Sequence, residues 1–92
     1  MWAVLESHDV QRLLPRAPLQ VRKKYELWKA IVRVSGPLGL LAIRGFNDEA
    51  LTGVWRGYRS SRLNLQWRVI YSVRGEIFSV DVERVSAHDY RR

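Results

Sequence analysis

Between Leu51 and Tyr71 the chain reads LTGVWRGYRSSRLNLQWRVIY, with Arg56, Arg59, Arg62 and Arg68 and no acidic residue. Trp55, Tyr58 and Trp67 are interleaved with these arginines, and Asn64 and Gln66 add further polar groups. This stretch constrains the fold more than any other. Buried arginine is costly unless it is paired, and the stretch brings no carboxylate of its own. A pair of strands that buries one face and presents guanidinium groups to solvent on the other accommodates both kinds of residue. The cationic face is then a place where an anion docks.

The rest of the chain sets the scale. Ninety-two residues build one core, so residues 1–92 read as a single domain. Nearly half are hydrophobic, and four tryptophans and four tyrosines speak against a disordered chain. The formal net charge is +7, carried by thirteen arginines against three lysines. Arginine recognises phosphate through a planar, bidentate fork where lysine acts as a point charge. A phosphate-rich partner, nucleic acid first, is the natural inference.

Cysteine is absent, which removes disulfides, thiolate catalysis and sulfur metal sites and fits a reducing compartment. His8 and His88 lie far apart and no metal-ligand spacing is present, so no metal and no small-molecule cofactor is expected. The opening MWAVLESHD meets acidic residues too early for a signal peptide. No apolar run approaches the length that crosses a bilayer. The expectation is a soluble cytoplasmic protein.

Residues 2–6 read as a short strand, and Ser7 caps a short helix over His8–Leu14 that Pro15 stops. Pro18 opens the longest element. Val21, Tyr25, Trp28 and Val32 recur at helical spacing, with Leu27, Ile31 and Val34 widening the stripe, and Gly36-Pro37 ends it. This predicts an amphipathic helix over 18–35, with Lys23, Lys24, Lys29 and Arg33 mostly on its other faces. Residues 36–53 form a long connection, pinned by Leu40, Leu41, Ile43 and Phe46. Asp48 and Glu49 are the only acids between Glu26 and Glu76.

Three strands follow. The first runs over 55–63 and the second over 65–73. Trp67, Val69, Tyr71 and Val73 point to one side of the second, and Gln66, Arg68, Ile70 and Ser72 to the other. Arg74-Gly75 marks a tight hairpin turn. The third strand covers 76–85, where Phe78, Val80 and Val82 alternate with Ser79, Asp81 and Glu83. The order β-α-α-β-β-β predicts an α+β domain: two N-terminal helices packed on one face of a mainly antiparallel four-stranded sheet. The open face is expected to hold Arg68 with some of Arg59, Arg62 and the C-terminal residues.

Conventional enzyme motifs are missing. Ser60-Ser61 has no nucleophile-elbow context, and the glycines form neither a phosphate loop nor a dinucleotide fingerprint. What remains is a set of arginines with His88, Asp89, Tyr90 and Arg91. RNA is cleaved without metal when its 2′-hydroxyl attacks the adjacent phosphorus. That reaction needs a base for the 2′ proton, an acid for the departing 5′ oxygen and fixed positive charge on the phosphorane. Arginines, a histidine and a tyrosine around one groove supply those groups.

Several of these pieces occur together in a known family. Leu51-x-Gly53, Gly57-Tyr58, the Trp67-Arg68-Val69-Ile70-Tyr71 strand and Asp89-Tyr90 resemble the RelE/ParE superfamily of bacterial toxins, most nearly its HigB branch. The Lys23-Lys24-Tyr25-Glu26-x-Trp28 helix and the Gly45-Phe46 loop fit its general layout. The resemblance implies a RelE-like fold and an mRNA interferase that cuts mRNA in the ribosomal decoding site. It also implies an antitoxin encoded beside it. By position, Arg68 matches the strand arginine used on the scissile phosphate, and Tyr90 and Arg91 fall among the C-terminal catalytic positions. HigB-type proteins have a His and a Lys flanking the leucine of L-x-G, where this chain has Glu49-Ala50 and Thr52. His88 or Glu49 then handles the 2′ proton. Tyr90 aids the leaving group or stacks on a base. Arg56, Arg59, Arg62 and Arg91 hold flanking phosphates, and Lys23 and Lys24 meet ribosomal RNA. The superfamily leaves two alternatives open: a ParE-like inhibitor of DNA gyrase without nuclease residues, and an RNA-binding module without catalysis.

Overall fold

The chain was analysed as a computed structural model, which describes residues 1–87. Strand β1 (Ala3–Glu6) leads into α1 (His8–Leu13), whose first turn is closed by the Ser7 hydroxyl accepting from Val10 N. The same hydroxyl donates to Glu83 O at 2.9 Å, so the start of α1 is tied to the sheet. Pro15 lies in a 3-10 turn over Leu14–Arg16, and Pro18 precedes α2 (Leu19–Ser35). The four residues read as the apolar stripe, Val21, Tyr25, Trp28 and Val32, are buried. Leu27 and Val34, expected to widen it, are exposed. They lie off the narrow arc of α2 that meets the sheet, whereas Ile31 packs against the core.

Gly36 ends α2 with φ +72°, a conformation that favours glycine. A methyl group there would also meet the indole nitrogen of Trp2 at 2.5 Å. The long connection has more order than its sequence suggests. It holds α3 (Pro37–Leu41), a 3-10 turn over Arg44–Phe46 and the two-residue strand β2 (Glu49–Ala50). Leu40 and Phe46 pin it to the core as expected, while Leu41 and Ile43 stay exposed.

After a turn at Gly53–Trp55 come β3 (Arg59–Arg62), β4 (Arg68–Arg74) and β5 (Ser79–Ser86). The sheet has five strands in the order β1-β5-β4-β3-β2. Strand β1 runs parallel to β5 and the other pairs are antiparallel. The α+β architecture is as the sequence predicts. The fifth strand is β2, too short to stand out in a chain read by periodicity.

The main core lies between the helices and one sheet face: Val10, Val21, Tyr25, Trp28 and Val32 meet Val69, Tyr71, Val80, Val82 and Val85. Strand β5 does not keep a period of two. Ile70 pairs with Arg84 and Tyr71 with Val82, so Glu83 is an extra residue in a bulge. The bulge returns Val85 to the core and turns Arg84 to the open face. Phe78, expected to point inward, is 58% exposed. The chain spends Gly75–Ile77 in a 3-10 turn rather than a tight hairpin, leaves Phe78 at φ +52° and starts β5 one residue later. The Phe78 ring instead meets Trp2 edge-on, with centroids 5.4 Å apart.

Candidate functional site

The register of the strands places the residues of the open face. Glu49 pairs with Ser60, Ser60 with Ile70, and Ile70 with Arg84, which makes one row across β2, β3, β4 and β5. Arg62 pairs with Arg68, and Arg68 with Ser86, which makes the next row. Residues directly paired across strands share a face. Two arginines, a glutamate and a serine are therefore neighbours on the side of the sheet away from the helices.

Arg68 is not offered freely to solvent, as the sequence led us to expect. It is 5% exposed. Its Nη1 donates to Ser60 Oγ at 3.1 Å and lies 3.8 Å from Glu49 Oε2. Glu49 Oε2 is itself buried with no hydrogen-bond donor among the described residues, and so is Arg62 Nε without an acceptor. Among the described residues, two guanidinium groups thus face one carboxylate. Among these residues the balance is positive, and Glu49 Oε2 and Arg62 Nε keep unused acceptor and donor capacity. Such a site suits an anion that accepts from the arginines while a neighbouring hydroxyl donates to the carboxylate.

Arg59 was expected beside Arg68. It sits one residue out of phase, on the helix side, opposite Tyr71. Its Nε donates to Asp48 Oδ1 at 2.7 Å. Asp48 has a side chain with 0% exposure and accepts two further hydrogen bonds on Oδ2, from Ser61 Oγ at 2.5 Å and Tyr71 Oη at 2.6 Å. Ser61 Oγ in turn accepts from the Trp28 indole at 2.9 Å. Burial lowers the pKa of a cation such as Arg59, but the bonded Asp48 outweighs it and the guanidinium is held above its usual range. The Tyr71 hydroxyl is pushed well above the usual phenol range, first by burial and then by its bond to Asp48. Arg59 is thereby neutralised within the fold, which corrects its expected place on the open face.

The remaining expected residues divide. Arg56 is exposed just after the Gly53–Trp55 turn. Lys23 and Lys24 are on α2, the layer on the far side of the sheet from Glu49 and Arg68, and Lys24 Nζ rests 5.2 Å from the centre of the Phe46 ring. They cannot touch the same phosphate as Arg68. His88, Tyr90 and Arg91 lie outside the described residues.

Sequence reasoning missed two residues, Arg84 on the open face and Asp48 behind it on the helix side. Arg84 reaches the open face through the bulge and its guanidinium lies 5.3 Å from the Trp55 ring, which packs edge-on against Tyr58. The signal was present as Val80-x-Val82-x-x-Val85: a spacing of three after a spacing of two marks the bulge. Asp48 was noted only as one of two acids. Its adjacency to Glu49 on an extended segment was the clue, since neighbours on a strand point to opposite faces.

Helices on one face of a mixed sheet in the order β1-β5-β4-β3-β2 make a fold that this chain shares with solved toxin structures. No protein-family model matches the chain, and no curated protein matches it in sequence. Solved structures do. The chain is similar to a YoeB/ParE toxin from Agrobacterium tumefaciens, with TM-score 0.73 and 20% identity over 95% of this chain and 99% of that one. It is equally similar to the archaeal RelE–RelB complex from Pyrococcus horikoshii, with TM-score 0.74 and 20% identity over 94% and 93% of the two chains. YafQ from E. coli gives TM-score 0.72 and 19% identity over 96% and 94%. At such identities the likeness is one of fold.

Proposed function

We propose that this protein is the toxin of a type II toxin–antitoxin pair and that it cleaves mRNA on the ribosome, inhibiting translation. The observation that carries the proposal is the meeting of Glu49 and Arg68, 3.8 Å apart on the open face, with Arg62 beside them. The chemistry is metal-independent attack of a 2′-hydroxyl on the adjacent phosphorus. Glu49 takes the 2′ proton. Arg68, oriented by Ser60, binds the scissile phosphate and stabilises the charge that grows on it. Arg62 and Arg56 hold flanking phosphates, and Arg91 with them. His88 and Tyr90 are the proposed donors to the departing 5′ oxygen. A surplus of guanidinium over carboxylate favours the phosphorane, with more negative charge than the ground state, and this differential is what accelerates the step.

An antitoxin partner is part of the same reading. It is supported by neighbours of this fold solved as complexes, YoeB–YefM from Staphylococcus aureus and RelE–RelB from Pyrococcus horikoshii. A surface with net charge +7 calls for an acidic wrapping segment.

The test is primer extension on a defined mRNA with and without translating ribosomes, using wild-type protein and Arg68→Ala. Codon-phased cuts that require ribosomes, lost on substitution by a factor of about 10²–10³, are the expected result. Full cleavage by folded Arg68→Ala refutes the assignment. Intact mRNA in every lane together with inhibited supercoiling by gyrase moves the function to the non-nuclease branch.

A further inference from the structure

Asp48 and Glu49 are consecutive in the chain and serve opposite faces of the sheet. Strand β2 is only two residues long and pairs with β3 through Glu49–Ser60 and Ala50–Arg59. A ladder of two pairs at a sheet edge does not hold its own position. Behind it, Leu51 N donates to Tyr58 O at 2.9 Å and closes the following loop. Ahead of it, Asn47 is in the left-handed region at φ +44°, and Phe46 is buried. Between these anchors the position of β2 is set by the three hydrogen bonds into Asp48, from Arg59 and Ser61 of β3 and Tyr71 of β4.

The consequences for Glu49 follow from strand geometry. Ser61, which holds Asp48 on the helix side, is next to Ser60, which accepts from Arg68 on the open side. The adjacent pair Asp48-Glu49 meets the adjacent pair Ser60-Ser61, one contact on each face. Drawing Asp48 into β3 and β4 therefore presses the Glu49 carboxylate toward Arg68. The linkage runs on to Trp28 at the centre of α2, through Ser61. A fully buried carboxylate is an expensive way to fix a loop. It is well suited to fixing a short strand rigidly, because charge-assisted hydrogen bonds are short and directional.

From this geometry we infer that Asp48 is a positioning residue for the cleavage reaction: it clamps β2 from the helix side and so holds Glu49 at its working distance from Arg68. The inference rests on the nuclease reading above. Asp48 never meets the RNA and acts only through Glu49. Displacement of a reacting group by about 1 Å costs on the order of 10²-fold in rate.

The experiment measures single-turnover cleavage on ribosomes at saturating protein. It is paired with the affinity for ribosomes carrying mRNA with a 2′-deoxy residue at the cut site, which binds without reacting. The variants are Asp48→Asn, Glu49→Gln and the double variant, each assayed well below its melting temperature. Asp48→Asn is expected to lose about 10²-fold in rate with affinity unchanged. In the Glu49→Gln background the same substitution is expected to cost nothing further, because both act through one group. A merely structural role predicts losses that multiply and that follow the folded fraction. Where Asp48→Asn does not fold, Ser61→Ala removes one donor and keeps the charge. It is expected to lower the rate several-fold, again only when Glu49 is intact. An unchanged rate, or losses that multiply with Glu49→Gln, overturns the positioning role while leaving the nuclease reading in place. A wild-type protein that leaves mRNA intact removes both.

Discussion

Tyr71→Phe isolates one bond of the buried network. The ring keeps its edge-on contact with Trp28, whose centroid is 5.2 Å away, so packing is preserved. What is lost is the 2.6 Å hydrogen bond from the hydroxyl to Asp48 Oδ2. The carboxylate retains Ser61 on that oxygen and Arg59 on the other, and its side chain has no access to water. A hydrogen bond to a charged, buried acceptor contributes about 1.5–3 kcal/mol. The unfolding entropy of a 92-residue chain is about 0.19 kcal/mol per kelvin, at roughly 2.1 cal/mol/K per residue. The expected fall in Tm is therefore about 8–15 °C. Thermal unfolding followed by circular dichroism reads it, and urea unfolding should show a lower midpoint with the same slope. The hydroxyl's share should nearly vanish in an Asp48→Ala background, with a coupling of at least about 1 kcal/mol. A Tm shift under about 3 °C, or strict additivity with Asp48→Ala, would refute the argument that this carboxylate organises the sheet edge.

Three more outcomes are expected. Burial, followed by bonds to Glu6 and Asp48 respectively, raises the phenol pKa values of Tyr25 and Tyr71 well above the usual phenol range. A group raised in the folded state leaves stability intact below its unfolded value, so urea stability should hold up to pH about 10 and then fall, by up to about 2.7 kcal/mol per pH unit for the two together. Tyr71→Phe should halve that slope, and a flat profile up to pH about 11 would contradict the burial of these hydroxyls. Gly36→Ala places a side chain at φ +72° and a Cβ against Trp2, and should cost at least about 2 kcal/mol, seen as a lower urea midpoint. Glu49→Gln keeps the shape of the side chain but removes the counter-charge of buried Arg68, and should lower both Tm and, as the proposed base, the cleavage rate, the latter by about 10²–10⁴-fold at temperatures where the variant is folded.

The elements with strong periodicity were legible from the chain itself. Val21, Tyr25, Trp28 and Val32 repeat at helical spacing, and Val69, Tyr71, Val80 and Val82 alternate as buried strand residues must. Both patterns are local consequences of which side chains water rejects. The arginine-rich stretch and the absence of any acid within it were equally plain, and they pointed to a cationic sheet face. Arg68, Arg62 and Glu49 do meet there.

Other features were hidden because they depend on partners far away in sequence. Nothing local says that Arg59 turns to the helices while Arg62 does not. That follows from the pairing of Arg59 with Tyr71 and from the acceptor that Asp48 brings eleven residues from upstream. Arg84 reaches the open face only because Glu83 is bulged, and β2 exists only because β3 is there to pair with it. The sequence by itself determined the elements, the core stripe and the sign of the surface, since these depend on side-chain solubility and local backbone preference. Tertiary structure alone decided which arginines turn to the helices and which share the open face with Glu49. Charge pairing is settled by distance in space, and two adjacent residues, Asp48 and Glu49, were sent to opposite sides of one sheet.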